Sequence, residues 1–370
     1  VGHLVHMASH VDIQVGQYEV AVRCGQCATA ADDGYFGFRG SRELYYQTYA
    51  NHHMHQLCYA AMFEGRRAEA MGAAEALLRQ TPSSIIEEHV EYEEPRTALP
   101  WLVHVRFGEW YAILCRPLPS PPHVFLVSTA MALWARAIAL GALGRVAEAR
   151  ATQAAFRAAV GEVPATRHVH VVSSHHSLAI GEAMLEGELC YREGRAAEGF
   201  ASLRGAVALE DALPYDEPPG WMTPVRHALG GLLLEHATSP HPSSSPTALL
   251  AESEAVYRSD LARHPNNVWA LTGLLEVLRC RARRSGGIDG AAILAAKHVD
   301  ERRTRAAARS DVILERSCYC ARGGCSSGAH TQHGKLWAHP PGQRAKMVIA
   351  ATALATMLLL AVTTARRGEG

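Results

Sequence analysis

Apolar residues recur at helical spacing along most of the chain, and few stretches alternate apolar with polar side chains. The helical runs break at a short repeated phrase: Gly65-Arg66-Arg67-Ala68-Glu69, Gly144-Arg145-Val146-Ala147-Glu148 and Gly194-Arg195-Ala196-Ala197-Glu198. Glycine can enter the left-handed backbone region without a Cβ clash, so each copy predicts the end of one helix and the start of the next. The small residue that follows lets the second helix lie close to the first. Gly16 and Gly108 extend the series, with Gln17-Tyr18-Glu19-Val20-Ala21 keeping the spacing after Gly16. The prediction is an all-α chain of about seven degenerate helical hairpins.

In order, hairpins are expected over about 4–31 around Gly16, 43–80 around Gly65, 99–114 around Gly108, 124–160 around Gly144 and 177–213 around Gly194. The sixth pair starts near Thr223 and is interrupted by a Ser/Pro loop, Ser239 to Pro246. The seventh begins at Trp269 and finishes near Arg309. Proline marks several ends, at Pro82, Pro117 and Pro265. Ile85 to Pro95, with five glutamates, reads as a solvated connector, and Glu162 to Ser174 as a loop with a short extended piece. Residues 1–322 form the repeat domain on this reading. A Gly/Ser/His/Pro linker covers 323–346.

Met347 to Ala365 is apolar apart from threonines and has basic residues on both sides. Its 19 residues, at about 1.5 Å each, just reach across a hydrocarbon core of roughly 30 Å. It is read as a transmembrane tail anchor, which puts the repeats on the cytoplasmic face of a membrane. The other reading is a buried or amphipathic terminal helix and a cytoplasmic protein. Val1 falls inside a helical pattern, so the chain reads as a fragment or a processed form.

The chain carries 36 basic and 36 acidic side chains. That balance gives no overall field to draw it onto nucleic acid. The 9 cysteines are odd in number and lie mostly in helical runs, which argues against a disulfide framework and fits a reducing compartment. Cys24-Gly25-Gln26-Cys27 has redox spacing but no strand before it, so core packing is expected. Cys318, Cys320, Cys325, His330 and His333 match no established zinc spacing. Ser173 to His176 lacks the strand–turn–helix context of a nucleophile elbow.

Paired helices turning at Gly-x-[Tyr/Ala]-x-x-Ala, with Pro265-Asn266-Asn267 and Trp269 opening a new pair, resemble tetratricopeptide repeats. Gly273 stands where that repeat wants a small residue. More narrowly, the chain is similar to a little-characterised, mostly bacterial family of tetratricopeptide-repeat proteins. The segments that carry the likeness are His6-Met7-Ala8-Ser9-His10, Tyr49 to Gln56, Arg106-Phe107-Gly108-Glu109-Trp110, Tyr215 to Trp221 with Pro224 and Arg226, and Ser310-Asp311-Val312. Ala8, His53 and Gln56 depart from that family's proline, asparagine and phenylalanine. The resemblance implies a superhelix, or α-solenoid, over most of Val1 to Cys320, and carries no established activity.

Two groups of side chains stand out as candidate sites. His6 and His10 are four apart and His52 and His55 three apart, so each pair shares a helix face. Both pairs fall on first helices of adjacent hairpins, which would line the inner groove of such a superhelix. Four neutral imidazoles so grouped could hold Zn²⁺ or another divalent metal. The plainer reading is that they bond to one another and to backbone carbonyls. Tyr215, Trp221 and Arg226 form the second group, as an ion-paired elbow in which Arg226 reaches Asp216 or Glu217, or as the lip of a ligand groove. The leading expectation is a protein- or peptide-binding scaffold and not an enzyme. The second is a metal-binding protein, or a metal-dependent enzyme, built on the histidines.

Overall fold

The glycine turns organise the fold as a single local rule repeated. The computed structural model describes residues 2–286 and 289–312. Gly16, Gly65, Gly108, Gly144 and Gly194 all take positive φ, between 64° and 82°. Each closes its helix with the same two bonds. At Gly65 the glycine N–H reaches the Met62 carbonyl and the Arg66 N–H reaches Ala61. At Gly194 the corresponding acceptors are Tyr191 and Cys190. This is the Schellman arrangement, in which a left-handed residue lets the chain satisfy the last free carbonyls of the helix. After three of the turns an arginine at the cap pairs with a glutamate three residues on: Arg66 with Glu69, Arg145 with Glu148, Arg195 with Glu198.

The described residues are almost wholly helical, with fifteen α-helices. Seven packed pairs account for most of them: α1 (Gly2–Gln14) with α2 (Tyr18–Arg39), α3 (Leu44–Glu64) with α4 (Arg67–Gln80), and α6 (Leu99–Arg106) with α7 (Trp110–Cys115). They continue with α8 (Leu126–Ala142) and α9 (Val146–Gly161), then α10 (Ser174–Arg192) and α11 (Ala196–Asp211). The last two are α12 (Val225–Thr238) with α13 (Pro246–Arg263), and α14 (Val268–Arg284) with α15 (Gly290–Ala306). The short helix α5 (Ser83–Glu88) and a 3-10 turn over Glu94–Ala98 connect the second pair to the third. The extended piece expected before Ser174 is a two-stranded hairpin, β1 (His168–Val169) and β2 (Val172–Ser173).

Several first helices, though not α1, are buried far more fully than the second helices. Every residue of α6 is buried, as is every residue from His53 to Glu64 on α3, Val225 to Leu234 on α12 and Val268 to Leu275 on α14. Second helices bury one stripe only, such as Ala70, Ala73, Ala74 and Leu77 on α4. The inner helices therefore pack against something on all sides instead of lining an open channel. The last pair also returns to the first two. Trp269 donates its indole N–H to the Met62 carbonyl at 2.8 Å. Asp311 accepts from the N–H groups of Arg67 and Ala68 at 2.7 and 2.8 Å, capping α4.

Glu93 and Glu94, expected in a solvated connector, are in the interior. Glu93 pairs with Arg96 and accepts from Asn51, and Glu94 accepts from the backbone of Ser128 and from Arg167. A buried carboxylate needs such partners, and here they come from up to 73 residues away. Of the expected core cysteines, Cys24 is half-buried and Cys27 exposed, both within α2. Among the described residues no helix is long and apolar enough to cross a membrane. The linker, the segment Met347 to Ala365 and the residues from Cys318 to His333 lie outside the described residues.

Candidate metal centre

Helix α1 is docked by its histidines. His3, His6 and His10 lie three and four residues apart and so share one face, while Leu4 and Val11 on the other side are 81% and 64% exposed. Facing them on α3 are His52 and His53. His6 Nε2 lies 2.9 Å from His52 Nε2. The His6 ring stands nearly perpendicular to both His10 and His52, at 81° and 76°, with centroids 4.6 and 4.7 Å away. His10 and His52 lie nearly parallel, 5.4 Å apart. The ligand atoms of His6, His10 and His52 all fall within 4.8 Å of one another.

Three carboxylates surround the rings. His10 Nδ1 is 2.5 Å from Glu217 Oε2, and His53 Nδ1 is 2.6 Å from Asp32 Oδ2. His170, at the tip of the β1–β2 hairpin, bonds through Nδ1 to Asp216. Its ring stacks on His52 at 5.3 Å with 11° between the planes. His3 Nδ1 meets His53 Nε2 at 3.2 Å. The loop that supplies Asp216 and Glu217 is itself tied down. Asp216 accepts from the N–H groups of Val171 and Glu217, and Glu217 accepts from the Tyr215 phenol and from Gln14.

Burial and the neighbouring imidazoles favour the neutral form of His3, His6 and His52. Burial, then His53, His10 and His3, push His6 down to about 3. Burial and His6 push His52 far below its ordinary value, and burial and His53 lower His3. A neutral imidazole has a free lone pair on one nitrogen, which is the form that binds metal. The Nδ1 atom of His52 is buried and has no partner. Of the six imidazoles, only His6, His10 and His52 have ligand atoms close enough to share one ion, with three carboxylates nearby.

Three of the four expected ligands are brought together. His6, His10 and His52 meet, but His55 does not join them. It is fully buried on another side of α3, with Nε2 3.1 Å from the Met222 sulfur. Because α3 is enclosed all round, residues three apart on it can face different neighbours. His53 takes the place beside the cluster instead.

Tyr215, Trp221 and Arg226 do not form one surface. Tyr215 is 72% exposed and bonds to Glu217. Trp221 is 3% exposed and packs edge-on against Trp134, 5.0 Å away, with Gly181 leaving the space its ring occupies. Arg226 pairs with Asp211 at 2.6 and 2.8 Å. It does not reach Asp216 or Glu217, whose carboxylates face His170 and His10.

Sequence reasoning missed His3, His53, His170, Asp32 and the role of Asp216 and Glu217. His3 was within reach, since it extends the His6/His10 face by one turn. Ser174, by contrast, is buried, and His175 bonds to the Val163 carbonyl, so no hydrolase triad forms there. In comparisons with known proteins, no family model, no curated protein and no solved structure matches this chain.

Proposed function

We propose that this is a metal-binding protein whose centre is His6, His10 and His52, with zinc or a neighbouring divalent transition metal as its ion. One observation carries the reading: three imidazoles from two helices have their ligand atoms within 4.8 Å of one another. The surroundings support it. A dication in a poorly solvated interior needs nearby negative charge, and Asp32, Asp216 and Glu217 provide it without entering the ligand set. A carboxylate beside a ligating histidine is the usual partner in such sites, and Glu217 Oε2 lies 2.5 Å from His10 Nδ1. The absence of a thiolate favours zinc, copper(II) or nickel over softer ions.

We further read the seven hairpins as a tetratricopeptide-like superhelix. The repeated glycine turns and the Pro265-Asn266-Asn267-x-Trp269 opening support that reading. A protein- or peptide-binding role is the second reading. It is favoured by the exposed line of Leu4, Met7 and Val11 on α1, and not by an inner groove.

Protein purified at neutral pH without chelator should carry or take up about one metal ion per chain. The His6→Gln/His52→Gln double variant should lose it while keeping its helical circular dichroism. A wild-type chain that neither carries metal nor binds added zinc, copper or nickel overturns the proposal.

A further inference from the structure

We infer that an ion held by His6, His10 and His52 keeps one coordination position open to solvent, and that this position takes water, hydroxide or another small anion. The inference deepens the metal-binding reading above and rests on it. Four observations lead to it.

The first is the number of donors. Among the described residues, these three form the only group of three or more ligand atoms lying within 4.8 Å of one another. Zinc takes four ligands, and three protein donors are the number found where the fourth comes from water or substrate.

The second is that the surrounding donors are already engaged. His53 is held at Nδ1 by Asp32 and at Nε2 by His3. His170 bonds to Asp216, which also accepts from two backbone N–H groups. Glu217 meets His10 Nδ1 with one oxygen, and Tyr215 and Gln14 with the other. His55 faces the Met222 sulfur. Each would have to give up a bond that it makes now before it could join the ion.

The third is depth. His6 is completely buried, whereas His10 and His52 are half-buried. The three rings therefore run from the interior toward the surface, and the cluster meets solvent on the side of His10 and His52. A tetrahedral ion held at three corners points its fourth bond away from them.

The fourth is charge. An imidazole that binds metal is neutral. Three such ligands leave both positive charges on the ion, where a thiolate or carboxylate would cancel part of them. An ion so ligated favours a negative fourth ligand, and it lowers the pKa of a bound water to about 7. Such a centre can present hydroxide to a substrate, which an ion closed by four protein ligands cannot do.

Cobalt(II) loading of the full chain tests this by visible spectroscopy, with azide and thiocyanate as probes. The expected result is a saturable change in the cobalt spectrum, with one anion bound per ion. Above the pKa of the bound water, each anion should bind about 10-fold more weakly for each unit of pH, because hydroxide competes for the same position. The His6→Gln/His52→Gln double variant should show no cobalt spectrum, which places the response at this centre. Glu217→Gln should keep the anion response. A wild-type spectrum that neither anion alters, or a response seen only in Glu217→Gln, would overturn the open position while leaving the metal-binding reading intact, since the fourth ligand would then come from the protein. A wild-type chain that binds no divalent metal, or a double variant that keeps both spectrum and response, sinks both.

Discussion

The centre of the molecule is held by a buried ionic relay, and its strength can be worked out bond by bond. Arg106 on α6, His227 on α12 and Asp260 on α13 have no solvent exposure. Arg106 donates through both terminal nitrogens to His227 Nδ1 at 3.0 Å, with its guanidinium 4.7 Å from the Trp269 ring. Arginine can only donate, so His227 Nδ1 must accept and Nε2 must carry the proton. That proton goes to Asp260 Oδ2 at 2.8 Å. Asn267 donates to the same oxygen at 2.9 Å, and His264 lies 3.1 Å from the other. Burial alone would raise the Asp260 carboxyl, but His227 and His264 outweigh it and hold it far below the usual carboxylate range.

Asp260→Asn keeps the shape and removes the charge. The carboxylate accepts on both oxygens. An amide NH₂ turned toward the His227–Asn267 pair meets donors, and turned toward His264 it is accepted only if that imidazole gives up its Nδ1 proton. Arg106 also loses its counter-charge while still buried. Removing one partner of a buried ion pair costs about 3–5 kcal/mol, a large part of a typical stability of roughly 5–15 kcal/mol. Urea unfolding at neutral pH should therefore show a much lower midpoint with an unchanged slope. The Arg106→Met/Asp260→Asn double variant should be less damaged than the sum of its singles, because it leaves no orphan charge. The sign of the pH effect follows as well. A depressed carboxyl stabilises the fold above its unfolded value of 3.8, and that stability is lost as pH falls through the folded value. Wild type should lose more stability in acid than Asp260→Asn, which keeps only the share of other depressed carboxylates such as Glu186 and Asp211. A cost under about 1 kcal/mol, or strict additivity of the two substitutions, would refute the relay.

Two further predictions concern the same region. Burial, opposed by His264 and reinforced by Asp260, pushes the Glu210 carboxyl up to about 7 from 4.5. A raised folded value means its contribution is fully present below about 4.5 and is lost as pH rises through about 7. Glu210→Gln should match wild type in stability near the lower pH and exceed it at mildly alkaline pH by up to about 3 kcal/mol, as read by urea midpoints at the two pH values. A Cβ on Gly273 would sit 2.1 Å from the Tyr257 ring, which is wholly buried between Gly230 and Gly273. Gly273→Ala should lower the melting temperature by the equivalent of at least about 1–3 kcal/mol, and Tyr257→Leu in the same chain should restore part of it.

What could be read from the sequence was whatever a local rule decides. Gly16, Gly65, Gly108, Gly144 and Gly194 turn the chain because a left-handed residue ends a helix wherever it stands, with no help from distant partners. Glu93 and Glu94 read as solvated because five acids in a short run have no local neutraliser, whereas Arg167 and the Ser128 N–H reach Glu94 only after folding. The histidine centre falls between these cases. His6 and His10 share a face by spacing, and so does His3. His170 and the Asp216–Glu217 pair arrive from more than a hundred residues away, and no spacing announces them.

Helix α1 is where local and global rules disagree most. Its apolar line, Leu4, Met7 and Val11, should by pattern turn inward and its histidines outward. The structure does the reverse, burying His6 completely and leaving Leu4 81% exposed. Burying a side chain the size of Leu4 would contribute about 1.5–3 kcal/mol, and that is forgone. Conflicts of this kind concentrate at functional sites, because there a group is placed for what it binds and not for how it packs. An ion shared between α1 and α3 would supply the missing attraction, since structural zinc contributes about 10–16 kcal/mol in small domains. With an ion bound there, the reversed helix and the crowded imidazoles would share a single cause: α1 would face the way its ligands must face.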